Sequence, residues 1–171
     1  MLTARIAHTW DGQPAERDEV ASIHLARAGS DWHLTVSAPF HGDPLPALPP
    51  GPTPGLWEFE VVELFVVGHG EGPPYTEIEL GPGGHHLVLQ LHGIRQPIAS
   101  ELPIAYEVEV HNGRWHGEAR IPGRLMPVRP QKWNAFAIHG LGPSRRYLAA
   151  HPVPGPQPDF HRLAAFARWP G

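Results

Sequence analysis

Short segments in which apolar and polar residues alternate, separated by turns rich in Gly and Pro, run along most of this chain. Successive side chains of a β-strand point to opposite sides of the sheet, so the alternation predicts strands with one packed face. Short strands at this spacing indicate an all-β fold, an antiparallel β-sandwich or jelly roll, which we expect to form one domain over residues 1–171. The predicted strands cover residues 20–27, 31–38, 57–67, 75–80, 85–92, 104–110, 114–121, 133–139 and 145–149.

Three local signals add detail to this layout. Asn112 and Gly113 separate two predicted strands and favour the two positive φ angles of a type I′ hairpin turn. Residues 41–54 are rich in proline, cannot enter a central strand ladder, and are predicted to cross one end of the sandwich as a strap. Residues 159–168 are predicted to form a short C-terminal helix with Asp159 at its N-cap.

Carboxylates interrupt the apolar rows of the predicted strands between positions 56 and 91. Glu63 falls in the middle of an otherwise apolar row, and Glu77 and Glu79 share one face of the next strand. The strand after that carries Gln90, which would extend the three glutamates into a polar stripe. Neighbouring buried carboxylates are too costly to be incidental, so this stripe is the strongest candidate site.

The sequence leaves three interpretations of these carboxylates open. They could form hydrogen bonds with sugar hydroxyls, or bind a hard cation such as Ca²⁺, which takes six to eight oxygen ligands. Alternatively, arginine partners could satisfy them without any ligand, and we expect a buried Glu63 paired with Arg145, Arg146 or His139. Two further carboxylates are expected to be ordinary exposed charges on a strand, namely Glu58 and Glu60.

Composition excludes several classes of function. The formal net charge is −4 and no basic stripe is visible, which argues against a nucleic-acid partner. The chain has no cysteine, so it forms neither a disulfide nor a thiolate metal site. No apolar run approaches the length of about 18 residues needed for a membrane span, and no signal peptide is visible. We therefore expect a soluble, cytoplasmic protein that has no membrane partner.

Motifs for catalysis and metal binding are sparse. The 13 histidines include no HExxH sequence, so no metal ligand is assigned. None of the serines lies in a GxSxG elbow, and no catalytic residue or cofactor is assigned. His139 and His161 are the histidines of interest, while Trp57 and Tyr147 offer aromatic platforms for a ligand.

Several short motifs occur together in a fixed order: LWEFEVVELFVV, YTEIEL, HHLVLQL, FAIHG, RRYLAAHPVPG and PDFHRL. In this order they resemble an uncharacterised open-reading-frame protein family of vertebrates and bacteria, over residues 56–166. The resemblance implies a β-sandwich similar to family 9 carbohydrate-binding modules, in which a sugar lies between tryptophans. Only the VELF strand at 62–65 and the WHGEARIP segment at 115–122 match those modules, so the sugar-stacking tryptophans are not carried over.

Together these observations predict a protein that binds a small polar molecule, a saccharide, on its concave sheet. The first alternative is a carboxylate-dependent glycoside hydrolase or related enzyme that also uses His139, and the second is a structural protein with an internal salt-bridge network. We expect groups from both halves of the chain to meet in one cleft. The predicted ligand-binding residues are Trp57, Glu63, Glu77, Glu79, Gln90, His139, Arg145, Tyr147 and His161.

Overall fold

The computed structural model of the protein describes residues 1–171 as an all-β sandwich. Four three-residue 3₁₀ turns are its only helical segments, at Leu56–Glu58, Gly123–Leu125, Gly142–Ser144 and Leu163–Ala165. None of them is long and apolar enough to cross a lipid bilayer. The strands are β1 (Leu2–Ile6), β2 (His8–Thr9), β3 (Ala21–Ala28), β4 (Asp31–Pro39), β5 (Gly51–Pro52), β6 (Val61–Val67), β7 (Pro74–Leu80), β8 (His85–His92), β9 (Pro97–Ala99), β10 (Ala105–His111), β11 (Arg114–Ile121), β12 (Lys132–His139), β13 (Arg146–Ala149) and β14 (Ala167–Arg168).

The strands form two sheets. The smaller sheet has the order β1-β3-β4-β11-β10, and the larger has the order β2-β13-β12-β6-β7-β8-β5, with β14 pairing beside β12 and β9 beside β8. Every pairing is antiparallel except that of β5 with β8. The predicted antiparallel sandwich is therefore confirmed.

The larger sheet carries apolar side chains on both of its faces. One face packs against the smaller sheet and contributes Val62, Leu64 and Val66 of β6 to the main core. The opposite, outer face of β6 contributes Val61, Phe65 and Val67 to a second apolar cluster. The C-terminal segment covers this cluster with four apolar side chains: Val153, Phe160, Leu163 and Phe166.

Each of the nine predicted strands matches an observed strand to within one residue at either end, except at the start of β6, whereas β1, β2, β5, β9 and β14 were not predicted. The prediction began β6 at residue 57, but Gly55 adopts a left-handed conformation with φ of 71° and leads into the 3₁₀ turn Leu56–Glu58. The strand begins only at Val61. Trp57 therefore lies at the edge of the sheet, and its face does not follow from strand alternation.

The local predictions have different outcomes. Asn112 and Gly113 have φ angles of 49° and 74°, which confirms the predicted turn. The C-terminal helix is limited to the single 3₁₀ turn Leu163–Ala165, and the Asp159 carboxylate accepts a hydrogen bond from the His161 amide two residues later. The strap, residues 41–54, forms a strand pairing with the larger sheet only at β5, which lies beside β8 at the end of the strand order.

Candidate functional site

A cleft of about 630 Å³ opens on the outer face of the larger sheet. Its floor includes Glu63 and Glu77, and its aromatic walls include Trp57, Tyr147 and Phe160. Trp57 is 47% exposed, more than any other tryptophan of the chain. The cleft therefore combines buried carboxyl groups with exposed aromatic surface.

Strand register explains why three glutamates meet at this floor. Glu63 on β6 is directly opposite Glu79 on β7, and Glu77 lies two residues before Glu79 on the same face. All three side chains are buried, and one carboxylate oxygen from each lies within 4.8 Å of the others. The predicted cluster of three glutamates is present in the structure.

Burial dominates the electrostatics of this cluster. It raises the pKa of Glu77 to about 7. It also raises the pKa of Glu63 and of Glu79 well above the ordinary carboxyl range, and the neighbouring carboxylates reinforce both shifts. Neither oxygen of Glu79 has a partner in good hydrogen-bond geometry, and the polar groups near enough to affect its pKa include the Glu77 carboxyl and the backbone of Trp57. At neutral pH the cluster therefore retains protons.

A hydrogen-bonded chain orients His161 beside the cluster. The amide of Arg95 donates to the Tyr75 hydroxyl over 3.0 Å, and this hydroxyl lies 2.8 Å from Nδ1 of His161. Nε2 of the same ring lies 3.9 Å from the Glu77 carboxylate, so the imidazole lies between the Tyr75 hydroxyl and the cluster. Burial lowers the pKa of His161 to about 4, so the ring is neutral at pH 7.

Arg145 holds the mouth of the cleft in place. Its guanidinium donates to the carbonyl oxygens of Trp57 (2.6 Å) and Gly140 (3.0 Å) and lies 5.7 Å from the centre of the Tyr147 ring. It forms no ion pair with Glu63, although its charge lowers the pKa of that carboxyl against the larger effect of burial. Burial of Glu63 agrees with the sequence prediction, but the predicted pairing is wrong.

The other predicted partners of Glu63 serve a different carboxylate. Arg146 donates to both oxygens of Glu19, over 2.6 and 2.9 Å, and His139 contacts the same carboxylate at 3.0 Å. The hydrogen bonds from Arg146 lower the pKa of Glu19 to about 2. The three glutamates of the cleft form no ion pair with any arginine, so the internal salt-bridge network proposed as an alternative is not formed there.

Two of the predicted site residues lie outside the cleft. Gln90 is opposite Thr76 and points to the inter-sheet side of β8, where its amide donates to the carbonyl of Leu125. His139 follows Ala137 in the inward-facing row of β12, so it lies on the opposite side of the sheet from Glu77. The predicted convergence is therefore wrong for these two side chains.

The other predicted residues do converge. Six of them line the cleft: Trp57, Glu63, Glu77, Arg145, Tyr147 and His161. Glu79 completes the cluster from beneath the floor and does not line the cleft. Two glutamates were expected to be exposed. The prediction is confirmed for Glu58 and wrong for Glu60, which is buried and accepts a hydrogen bond from the His41 amide of the strap.

Sequence reasoning missed the rim formed by Arg95 and Asp159. Their side chains form an ion pair of 2.7 Å at the cleft, and Phe160 stacks on Phe136 at 3.9 Å to form the adjoining wall. Arg95 lies in a turn with a φ of 58°, outside any predicted strand. The PDFHRL motif was the available signal for Asp159 and Phe160, but it was interpreted as a helix.

Comparison with known proteins identifies the relatives of this chain. No protein-family model matches it. The UPF0462 protein C4orf33 homolog of Danio rerio is 41% identical over 169 residues, which cover 94% of this chain and 85% of the relative. The human UPF0462 protein C4orf33 is 40% identical over 170 residues, covering 95% of this chain and 84% of the relative.

Among solved structures, a candidate carbohydrate-binding protein from Bacteroides uniformis has the same fold, with a TM-score of 0.73 and 16% identity. The alignment covers 98% of this chain and 85% of that protein. This likeness agrees with the β-sandwich that the sequence motifs implied. The level and length of identity to the vertebrate relatives show that the chain belongs to the UPF0462 family.

Proposed function

We propose that the cleft binds a saccharide. The observation that carries the proposal is the placement of an exposed tryptophan, Trp57, at the mouth of a cleft whose floor is made of the buried carboxyl groups of Glu63 and Glu77. A pyranose ring has an apolar face and a rim of hydroxyls. Such a ring needs an aromatic surface against its apolar face and hydrogen-bonding groups beside its hydroxyls.

The protonation of the floor supports a neutral, hydroxylated ligand. A carboxyl group whose pKa is raised by burial can donate as well as accept a hydrogen bond, which matches the two roles of a sugar hydroxyl. An anionic ligand would meet repulsion from Glu63 and Glu77 as soon as either carboxyl ionised. The shared fold of a candidate carbohydrate-binding protein is consistent with this interpretation.

Isothermal titration calorimetry with glucose, galactose, mannose and xylose, and with their di- and trisaccharides, tests the proposal. We expect binding of at least one of these sugars by the wild type, and about fivefold weaker binding by Trp57→Ala, since aromatic contacts contribute roughly 1 kcal/mol. Val128→Ala is the control because Val128 is 97% exposed and does not line the cleft.

The same samples distinguish a binding protein from a glycoside hydrolase. Enzymatic cleavage would release reducing ends from the di- and trisaccharides, whereas binding alone would leave them intact. The saccharide proposal fails if no sugar binds the wild type, or if Trp57→Ala binds as tightly as Val128→Ala.

A further inference from the structure

Glu79 has an environment that saccharide binding does not explain. Its side chain is completely buried, and neither carboxylate oxygen has a well-aligned hydrogen-bond partner. Because Glu79 does not line the cleft, a sugar bound over Trp57 would not reach it directly. A buried polar group without a well-aligned partner is costly, so an ion that reaches this carboxylate would stabilise the folded protein.

We propose that Glu63, Glu77 and Glu79 together bind one hard divalent cation at the floor of the cleft. The proposal goes beyond saccharide binding and does not depend on it. Two oxygens bound to the same Ca²⁺ ion at 2.3–2.6 Å can be at most about 5 Å apart. One oxygen from each of the three carboxylates lies within 4.8 Å of the others, so small side-chain adjustments on fixed strands would let a single ion reach all three.

The available donor atoms select the class of cation. The chain has no cysteine, and the side chains whose ligand atoms converge at the cluster are three glutamates, without His161. The remaining donors at the cluster are carboxylate oxygens, which suit Ca²⁺, Mg²⁺ and Mn²⁺ rather than metals that prefer thiolate or imidazole. The cleft above Glu63 and Glu77 leaves room for water or a ligand hydroxyl to complete the coordination.

Charge balance also favours a cation. Three ionised carboxylates in contact would repel one another, and the opposed pair Glu63 and Glu79 cannot separate because their strands are hydrogen-bonded. A divalent ion held between the three carboxylate oxygens neutralises most of that charge. Cation binding must therefore release protons and become tighter as the pH rises.

The test is calorimetric titration of EDTA-stripped protein with CaCl₂, MnCl₂ and MgCl₂ separately, in the absence of any saccharide. Zinc is omitted because the 13 histidines of the chain would bind it elsewhere. We expect one ion per chain for at least one of the three salts at pH 8. We also expect affinity to fall about tenfold per pH unit towards pH 6 for each proton displaced.

Variants locate the ion. Glu79→Gln should weaken binding at least a hundredfold, whereas Glu109→Gln, an exposed carboxylate on β10, should bind like the wild type. If Glu79→Gln does not give the wild-type circular dichroism spectrum, Glu63→Gln replaces it. The proposal is overturned if the wild type binds none of the three ions, or if the folded glutamine variant binds as tightly as Glu109→Gln. Because no sugar is present, these outcomes are independent of the saccharide test.

Discussion

Individual side chains determine how this protein responds to pH, and Glu77 has a clear effect. Burial raises the pKa of Glu77 from its ordinary value of 4.5 to about 7. Between these values the folded state holds a proton that the unfolded state has released. The contribution of protonated Glu77 to the free energy of unfolding is therefore fully present below pH 4.5 and is lost as the pH rises through 7. At 1.36 kcal/mol per pKa unit, the loss is about 3 kcal/mol.

Glu77→Gln removes this ionisation while keeping the size of the side chain. In EDTA, we expect the unfolding free energy of the variant relative to the wild type to increase by about 3 kcal/mol between pH 4.5 and 8 in urea titrations. The comparison cancels the contribution of His161, whose lowered pKa makes stability fall as the pH drops from 6.5 towards 4. Glu109→Gln should follow the wild type at every pH. A difference between Glu77→Gln and the wild type that does not vary with pH would contradict the prediction.

At the scale of elements, the turn between β12 and β13 positions the cleft mouth. Gly140 has a φ of 80°, and a Cβ atom at this position would lie 2.5 Å from the carbonyl oxygen of Ser144. This tight turn brings Arg145 back towards the carbonyl of Gly140 and onto the carbonyl of Trp57. The conformation of a glycine is thus linked to the position of a tryptophan 83 residues earlier in the chain.

We expect Gly140→Ala to cost about 2 kcal/mol or more in unfolding free energy, and to change the fluorescence of Trp57 because Arg145 is displaced. Gly142→Ala is the matched control, since Gly142 also has a positive φ, 51°, but a Cβ atom added there would have no neighbour within 4 Å. Its cost should be about 1 kcal/mol, with unchanged fluorescence. Equal effects of the two substitutions would show that the contact with Ser144 is unimportant.

The strands could be predicted because the alternation of apolar and polar residues is a local property of the sequence. The contacts between strands are not local, so they could not be predicted in the same way. Alternation correctly placed Glu63, Glu77 and Glu79 on packed strand faces. It could not show that Glu77 lies opposite Leu89 rather than Gln90, because the pairing of two strands depends on their turn. The same limit explains the error at His139, whose face is fixed by the pairing of β12 with β6.

Other parts of the site depend on tertiary packing. The segment after Pro158 has a helical spacing of apolar residues, but Phe160 packs on Phe136 from a turn, and Phe166 does so from the residue after the 3₁₀ turn Leu163–Ala165. The arginine partners also could not be assigned from sequence, because Arg146 reaches Glu19 across 127 positions. Sequence therefore identified the carboxyl floor and two of the aromatic walls, Trp57 and Tyr147, and the structure was needed for Phe160 and for the rim formed by Arg95 and Asp159.

At the scale of the whole molecule, the C-terminal segment is part of the fold rather than an appendage. Four of its side chains close the second cluster: Val153, Phe160, Leu163 and Phe166. Burial of an apolar side chain of this size contributes roughly 1.5–3 kcal/mol, so the four together approach the total stability of a typical domain.

We therefore expect a chain that ends at Pro152 to lose cooperative unfolding and to bind the dye ANS, which reports exposed apolar surface. A chain that ends at Trp169 retains all four side chains and serves as the control. Cooperative thermal unfolding of the shorter chain, with a transition as sharp as that of the control, would show that the two sheets are stable without this cover.

The direct opposition of Glu63 and Glu79 across two hydrogen-bonded strands has a practical consequence for ligand discovery. A sheet that buries carboxyl groups without well-aligned hydrogen-bond partners is less stable to heat alone than when a ligand satisfies those groups. Any molecule or ion that satisfies these groups raises the melting temperature of the entire sandwich through mass action. The melting temperature of the protein therefore reports ligand binding. Measuring it against a library of metabolites and salts can reveal the natural ligand without first assuming the chemical class of that ligand.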